Sequence, residues 1–471
     1  MSIIDNKKQP SFHIRTFGCQ MNDRDSEIMG QLLAEQGYVE SMEIEDADVV
    51  IVNTCSIRAK AEQKAMSLLG ALRKVKKSRP GMRICVAGCV AQQEGLELCE
   101  RMSHVDLVLG TQNLYALANL LKNLDGTQKV AITLSDAYEI PAFIPNLPAI
   151  REYSVDQIDS NPAPASHPFR KFLTIMQGCN NFCTYCVVPY TRGREVSRKV
   201  KDILDEAHTL VDAGISEITL LGQNVNSYGR TNSVTPDGGS YSFSQLLREV
   251  AAIQGLKRLR FTTSNPKDLS SELMRCFGEI AILCPQFHLP VQSGSNAVLS
   301  RMNRKYTREL YLQQVKELRS FRPDIALSTD VIVGFPGESD ADFEQTMELL
   351  EEVRFHSSFS FKYSDRPGTR SADFADKVEE LVKSERLTRF QHRQDEICLE
   401  QNLLYVGKVL PVMIEKLTQD GMVGRTESNH IVHIEGKIAC IPGDITSVTI
   451  HHAGRHSLNG RLNSTQQKGA A

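Results

Sequence analysis

The 471-residue chain carries almost no excess charge. Its 54 Lys and Arg face 57 Asp and Glu, a formal net charge of −3. A chain this balanced is not a basic nucleic-acid binder as a whole, so any nucleic acid must be met by local patches. It also lacks an apolar run of the roughly 18 residues that a membrane span needs. The opening MSIIDNKKQP has none of the apolar core of a secretion signal. These absences predict a cytoplasmic protein with no membrane partner. Cysteine, by contrast, is plentiful at 12 residues. In a reducing compartment that argues for metal or redox chemistry rather than disulfides. Cys85, Cys99, Cys276, Cys284, Cys398 and Cys440 sit inside apolar strand-like or helix-like runs and read as small buried hydrophobes. The other six fall into two sets of three.

The length suggests about two to four domains. Over residues 1–135, apolar runs such as FHIRTFG, ADVVIVNT, RICVAG and VDLVLG alternate with helical patterns. That alternation predicts a parallel α/β sheet. Pro141, Pro145, Pro148, Pro162, Pro164 and Pro168 then break the pattern and mark a linker. From Phe169 onward six strand-like runs follow, from KFLTIMQG to HSSFSFKYS, with helices between most of them. Six βα units suit an open, partial barrel rather than a closed eight-unit one. The polar, Gly-rich segment Asn226–Ser242 is long enough for a functional loop. A charged helical run from Asp376 leads into a tail of short strands, VLPVMIEK to DITSVTIHH, expected as a small all-β barrel.

Cys19, Cys55 and Cys89 share no short motif, yet their contexts rhyme: TFGC, VNTC and VAGC. Each closes a strand and opens a helix. In a parallel sheet the carboxyl ends of the strands share one edge, where ligands bind, and helix N-termini favour thiolate over thiol. Asn22 and Ser56 stand where caps would begin two of the helices. Convergence of the three thiols on one centre is expected. The second set is compact, Cys179-x3-Cys183-x2-Cys186, directly after a strand. Three thiolates leave a position open in a tetrahedral zinc site or in a cubane iron–sulfur cluster, and His208 is too isolated to complete a zinc pattern.

The CxxxCxxC spacing with Tyr185 before its last cysteine resembles the radical S-adenosylmethionine (SAM) superfamily. The resemblance implies a [4Fe–4S] cluster on Cys179, Cys183 and Cys186 whose open iron binds SAM. Gly222, Gln223 and Asn224 in LLGQN, Gln292 in FHLPVQSGS, and Gly334 and Phe335 in DVIVGFPGE resemble segments that contact SAM in that superfamily, as does Tyr185. With TFGCQMN, VNTCSIR and VAGC ahead of them, the two triads together resemble the radical SAM methylthiotransferases, most closely the MiaB branch. This implies an N-terminal methylthiotransferase domain over 11–135 with an auxiliary [4Fe–4S] cluster on Cys19, Cys55 and Cys89. A Pro-rich linker over 136–168, a radical SAM core over 169–402 and an RNA-binding TRAM domain over 403–466 would follow.

By that resemblance the reaction is methylthiolation of C2 of N6-isopentenyladenosine next to the tRNA anticodon. SAM would serve both as methyl donor and as radical source, with the sulfur carried on the auxiliary cluster. A flavodoxin- or ferredoxin-like electron donor and the Fe–S assembly machinery would be partners. Sister branches act on threonylcarbamoyladenosine in tRNA or on a ribosomal-protein aspartate, and a non-catalytic Fe–S RNA-binding redox protein is the reading from a different class. Local charge is consistent with RNA. RKVKKSRP, TRGREVSRKVK and RMNRKYTR are basic runs, and Arg192, Arg194 and Arg198 are expected to contact phosphates because they follow the triad directly. The tail is only mildly basic, and its one aromatic, Tyr405, sits at its edge.

Overall fold

A computed structural model of the chain describes residues 9–56, 59–146, 169–436 and 440–463. They divide into two compact units. The first comprises residues up to Asn146 with Gln177–Asn180 and Val187–Arg198. The second comprises Leu147–Met176, Asn181–Cys186 and everything from Lys199.

The first unit is built on a six-stranded parallel sheet. Its strands are β1 (Ser11–Phe17), β2 (Val39–Glu40), β3 (Val49–Thr54), β4 (Arg83–Gly88), β5 (Leu107–Leu109) and β6 (Lys129–Ala131), in the order β2-β1-β3-β4-β5-β6. The sequence VVIVNT in β3 is buried throughout and opens with four apolar residues, as expected of a strand covered on both faces. Val49 and Ile51 face the cluster that holds Ile28, Met29 and Leu33 of helix α1 (Gln20–Ala34). Val50 and Val52 face Ala65, Leu69 and Leu72 of helix α2 (Ala59–Ser78). The stretch expected as a linker starts as part of this unit. Phe143 is buried against Tyr115 edge-on at 6.4 Å, with the Arg24 guanidinium 5.3 Å from its ring centre. Residues 147–168, where most of the linker was expected, lie outside the described residues.

The second unit contains the expected six parallel strands: β7 (Arg170–Thr174), β8 (Glu217–Leu221), β9 (Arg258–Phe261), β10 (Gln286–His288), β11 (Ala326–Val333) and β12 (Ser357–Lys362). They form two three-stranded runs, β9-β8-β7 and β10-β11-β12, and a parallel bridge from Leu259 to Leu283 leads from one run toward the other. Helices cover one side, where Leu173, Ile218, Leu220, Leu259, Phe287 and Leu327 join a single apolar core. The helix Glu380–Leu403 lies along β12 and leads to a closed five-stranded barrel made of β13 (Val409–Leu417), β14 (Gly421–Thr426), β15 (Ile431–Glu435), β16 (Ile445–Ala453) and β17 (Ser457–Leu462). Val412, Ile414, Val432, Ile434, Val448 and Ile450 fill that barrel.

The barrel is docked by arginines from the strands. Arg258 donates to the carbonyls of Pro411 and Arg425, and Arg260 to those of Thr426 and Glu427. Glu217, on the paired strand, lies 3.3 Å from Arg260 and compensates its buried charge. Among the described residues no helix is long and apolar enough to cross a membrane.

Candidate functional site

The first cysteine set follows from the sheet order. Strands β1, β3 and β4 are direct neighbours, with Phe17 level with Thr54 and Thr54 level with Gly88. Cys19, Cys55 and Cys89 come immediately after these ends. Adjacent strands are about 4.8 Å apart, so the three thiols spread over about two strand spacings along one edge. Cys19 and Cys55 hydrogen-bond through their side chains, and the charge of Cys19 reaches Cys89. Gly88 makes the close approach possible. Its φ is +92°, and a Cβ there would lie 2.4 Å from the Thr54 carbonyl oxygen.

Capping differs from the sequence expectation. Cys19 is itself the N-cap of α1, and Asn22 is the third residue of the helix, its Oδ1 accepting from the Cys19 amide at 3.3 Å. The fully buried Asn22 has a second task. Its Nδ2 donates to Asn53 Oδ1 and to the Thr54 carbonyl, each at 3.0 Å, while Asn53 Nδ2 donates back to the Asn22 carbonyl at 2.8 Å. This pair locks the start of α1 to the end of β3, which is what holds Cys19 beside Cys55. Helix α2 begins only at Ala59. Ser56 is buried instead, and its Oγ has no hydrogen-bond partner among the described residues.

Electrostatics favour a thiolate at this edge. The Cys19 thiol is drawn down to about 6, first by the hydrogen bond with Cys55 and then, against burial, by the Arg192 cation and the amides that open α1. Burial pushes Cys89 up, and Arg192 opposes that rise. Arg192 is buried and ion-paired to Asp25 at 2.7 Å. It therefore sits among the cysteines, not on an RNA-facing surface. Arg198 is buried too and donates to the Phe143 carbonyl at 3.2 Å. Of the three arginines expected to meet phosphates, Arg194 has the exposed head, 3.4 Å from an open Asp136 carboxylate. Among the described residues no three His, Cys, Asp or Glu side chains close around one metal-ion point. A cubane cluster takes each thiolate on a separate iron. Three thiols on separate strand ends, a buried cation and an orphaned hydroxyl fit such a group.

The residues of the compact triad are each held locally within their own unit. Gly178 turns the chain at φ +82°, where a Cβ would lie 2.0 Å from the Arg194 carbonyl oxygen, and the next amide, of Cys179, donates to the Gly193 carbonyl at 3.2 Å. Both contacts belong to the first unit. In the second unit Arg304 Nη1 donates to Cys183 Sγ at 3.4 Å, and its Nε donates to Tyr306 Oη at 2.9 Å. Asn303 Nδ2 donates to the Phe182 carbonyl, the Thr184 amide to that of Met302, and the Cys186 amide to that of Cys183. The run RMNRKYTR, expected as a phosphate patch, is largely spent on this work. Arg301 pairs bidentately with Asp376, Arg304 serves the cysteine loop, and Arg308 pairs with Glu348. Arg304 is the residue that sequence reasoning missed; only its contact with Cys183 distinguishes it from its basic neighbours.

The residues expected near SAM occupy two places. Gly222, Gln223 and Asn224 follow the end of β8, where a Cβ on Gly222 would lie 2.3 Å from Met176 Cγ. Asn224 is buried, its Nδ2 donating to Asp268 and Ser227, and its Oδ1 has no hydrogen-bond partner among the described residues. Gln292 takes φ +71° and bonds to β11 through the Asp330 carbonyl and the Ile332 amide. Gly334 and Phe335 follow β11. Phe335 is fully buried with Val298, Met302 and Tyr363 and meets Tyr185 edge-on at 6.4 Å. It supports the cysteine loop from beneath rather than lining an open surface. Glycine turns at strand ends, an orphaned amide oxygen and a three-cysteine loop fit a cluster with a polar ligand at its open position.

Known proteins match the chain almost end to end. Residues 11–110 match "Uncharacterized protein family UPF0004", residues 173–350 the "Radical SAM superfamily" and residues 403–462 the "TRAM domain". The tRNA-2-methylthio-N(6)-dimethylallyladenosine synthase of Desulfotalea psychrophila is 59% identical over 97% of this chain and 99% of its own. The enzyme of the same name from Syntrophobacter fumaroxidans is 47% identical over 97% of this chain and 96% of its own. Among solved structures, the radical S-adenosylmethionine methyltransferase TsrM of Kitasatospora setae shares the fold. Its TM-score is 0.53 at 14% identity, over 78% of this chain and 75% of that one. With a parallel α/β unit, six parallel strands and a closed C-terminal barrel, three matched domains and 59% identity over nearly its whole length, the chain belongs to the radical SAM methylthiotransferase family, in the branch of the tRNA-2-methylthio-N(6)-dimethylallyladenosine synthases.

Proposed function

We propose that this enzyme places a methylthio group on C2 of N6-isopentenyladenosine beside the anticodon of tRNA. The observation that carries the reading is the occurrence of two three-cysteine sets in one chain, one on neighbouring strand ends and one in a compact loop, each without a fourth ligand among the described residues. Cys179, Cys183 and Cys186 would hold a [4Fe–4S] cluster with SAM, and Cys19, Cys55 and Cys89 a second cluster. Bound there, these groups supply reductive carbon–sulfur cleavage, hydrogen abstraction, and the sulfur and methyl of the product.

The chain's own residues prepare both places. Arg192, held by Asp25, sets a fixed positive charge beside Cys19 and Cys89, which favours the ligating thiolate. Arg304 donates to the Cys183 sulfur and orients the loop. Tyr185, stacked edge-on against Phe335, shields that end from water. The TRAM barrel and the exposed Arg73, Lys74, Lys77 and Arg194 are the proposed tRNA contacts. The division into domains at 11–135, 169–402 and 403–466, a flavodoxin- or ferredoxin-like donor, loading by Fe–S assembly proteins and a cytoplasmic setting belong to the same proposal. Mass spectrometry of nucleosides from isopentenylated tRNA after anaerobic incubation with the enzyme, SAM and reductant tests it. A methylthio product on that nucleoside is expected. Product on threonylcarbamoyladenosine or on a ribosomal peptide would overturn the substrate, and absence of 5′-deoxyadenosine would overturn the chemistry.

A further inference from the structure

The inner face of the second strand run is unusual for a sheet of this kind. In closed β/α barrels the inward side chains are bulky, branched and packed. Here the inward set is His288 on β10, Ser328 and Asp330 on β11, and Phe359 and Phe361 on β12. The register places them on one face, with His288 level with Ser328, Asp330 with Phe359, and Ile332 with Phe361. The alternate residues of β12 turn the other way. Ser360 accepts from Gln391, and Lys362 pairs with Glu380, both partners on the helix Glu380–Leu403. Phe359 and Phe361 are 51% and 45% exposed, on a strand that is the edge of its run. Two aromatic rings on an unpaired edge strand are a liability that proteins ordinarily remove.

Their surroundings select an occupant. His288 is fixed, its Nδ1 3.0 Å from Ser328 Oγ, its Nε2 3.5 Å from Asp330 and its ring 6.1 Å from that of Phe359. Asp330 keeps 30% of its side chain open beside Phe359. At the other end of the face Ile332 joins the cluster of Phe335, Tyr363 and Tyr185, so the surface is continuous with the loop that carries Cys183 and Cys186. Among its described residues it has aromatic faces and one open carboxylate, and no Lys or Arg. Such a surface repels phosphate, yet it suits an unstacked base that presents an N–H to a carboxylate and carries an apolar substituent.

From this juxtaposition we propose that Phe359 and Phe361 form the platform on which the target adenine is held, with Asp330 accepting its N6–H and Phe361 and Ile332 walling its apolar tail. The inference rests on the function proposed above and makes these four positioning residues for it.

The sequence contains no tryptophan, so Phe359→Trp creates a single fluorescent reporter on the platform. Leu96→Trp, on an exposed helix position of the first unit, serves as control. Full-length reconstituted protein is titrated with an anticodon stem-loop carrying N6-isopentenyladenosine and with the same RNA abasic at that position. Quenching at Phe359→Trp by the first RNA but not the second, with Leu96→Trp unmoved, is expected. Phe359→Ala should weaken binding of the base-bearing RNA about tenfold, leave the abasic RNA unaffected, and be rescued by Phe359→Tyr. Equal quenching by both RNAs, or binding without quenching, overturns the platform while leaving the proposed reaction intact. A wild-type enzyme that yields no methylthio nucleoside on this stem-loop sinks the reaction, and base-dependent quenching would still support the platform.

Discussion

Arg192 Nη2 lies 2.7 Å from Asp25 Oδ2, with both side chains buried at the edge where Cys19 and Cys89 end their strands. A buried cation held by a buried carboxylate is stable only as a pair, since removing one partner strands the other. Asp25→Ala is therefore expected to cost about 3–5 kcal/mol in the unfolding free energy of the apo protein. Denaturant titration checks this. Asp25→Ala combined with Arg192→Met should recover part of the loss, and failure to recover any would show that the pair is not the coupled unit described.

The depressed Cys19 thiol makes a pH-dependent prediction. Its thiolate persists above about 6 and disappears as pH falls through that value. Anaerobic alkylation of the apo protein, resolved by peptide mapping, should show Cys19 reacting with a midpoint near pH 6, while buried Cys85, pushed far upward, stays inert. Because the hydrogen bond with Cys55 is the largest cause, Cys55→Ala should move the midpoint up toward the ordinary thiol value. An unchanged midpoint would contradict the convergence of these two cysteines.

The two cysteine sets should separate by substitution. Cys183→Ala is expected to abolish 5′-deoxyadenosine formation. Cys55→Ala should retain it and lose methylthiolation to background. Chromatography with mass detection of both products, from one anaerobic reaction, reads the two outcomes. Intact sulfur insertion by Cys55→Ala would refute the assignment of the strand-end set.

Acid should loosen the docking of the C-terminal barrel. His356 and His430, with rings 5.8 Å apart, are held down to about 3 and about 4, in both cases mainly by burial. An unfolded histidine binds a proton near 6.5, so below that value the unfolded chain takes up more protons than the folded one. Stability is then fully present above about pH 6.5 and falls by about 1.4 kcal/mol per pH unit per histidine as pH drops toward those folded values. Melting temperatures between pH 7 and pH 5 should show the decline, and His430→Gln should flatten it.

Arg260 is expected to be the strongest single determinant of that docking. Arg260→Ala removes two donors to barrel carbonyls and takes the nearer of two cations from buried Glu217, leaving Arg170 at 3.8 Å. A loss of about 1–3 kcal/mol follows. Limited proteolysis around Tyr405–Lys408 should accelerate in the variant while the barrel fragment stays resistant, and unchanged cleavage would count against the arginine clamp.

Much of the architecture was legible before any coordinates. The six strands behind the CxxxCxxC loop stood out as short strand-like runs bounded by turn residues, with helical patterns between most of them. Strands β2 and β6 were not, being two and three residues long and only partly covered. That the start of the Pro-rich stretch packs with the first unit is not legible for a related reason. Its prolines mark irregular backbone, but Phe143 among them packs under Arg24, and irregular backbone with an apolar anchor is part of a fold.

The sequence by itself singled out six cysteines, in two sets of three. A cysteine that closes a strand and opens a helix is visible locally, and parallel topology sends all such positions to one edge. Only the tertiary structure decided that β1, β3 and β4 are adjacent, and hence that Cys19, Cys55 and Cys89 are neighbours. It also decided what each arginine does. Arg192, Arg194, Arg198 and Arg304 are alike in a linear charge pattern, yet one is buried with Asp25, one is exposed, one caps the Phe143 carbonyl and one serves Cys183. A guanidinium carries the same charge everywhere in the sequence. Whether it meets solvent, a carboxylate or a sulfur depends on chain segments more than a hundred residues away for two of them, Arg192 and Arg304, and that pairing is set by packing rather than by local sequence.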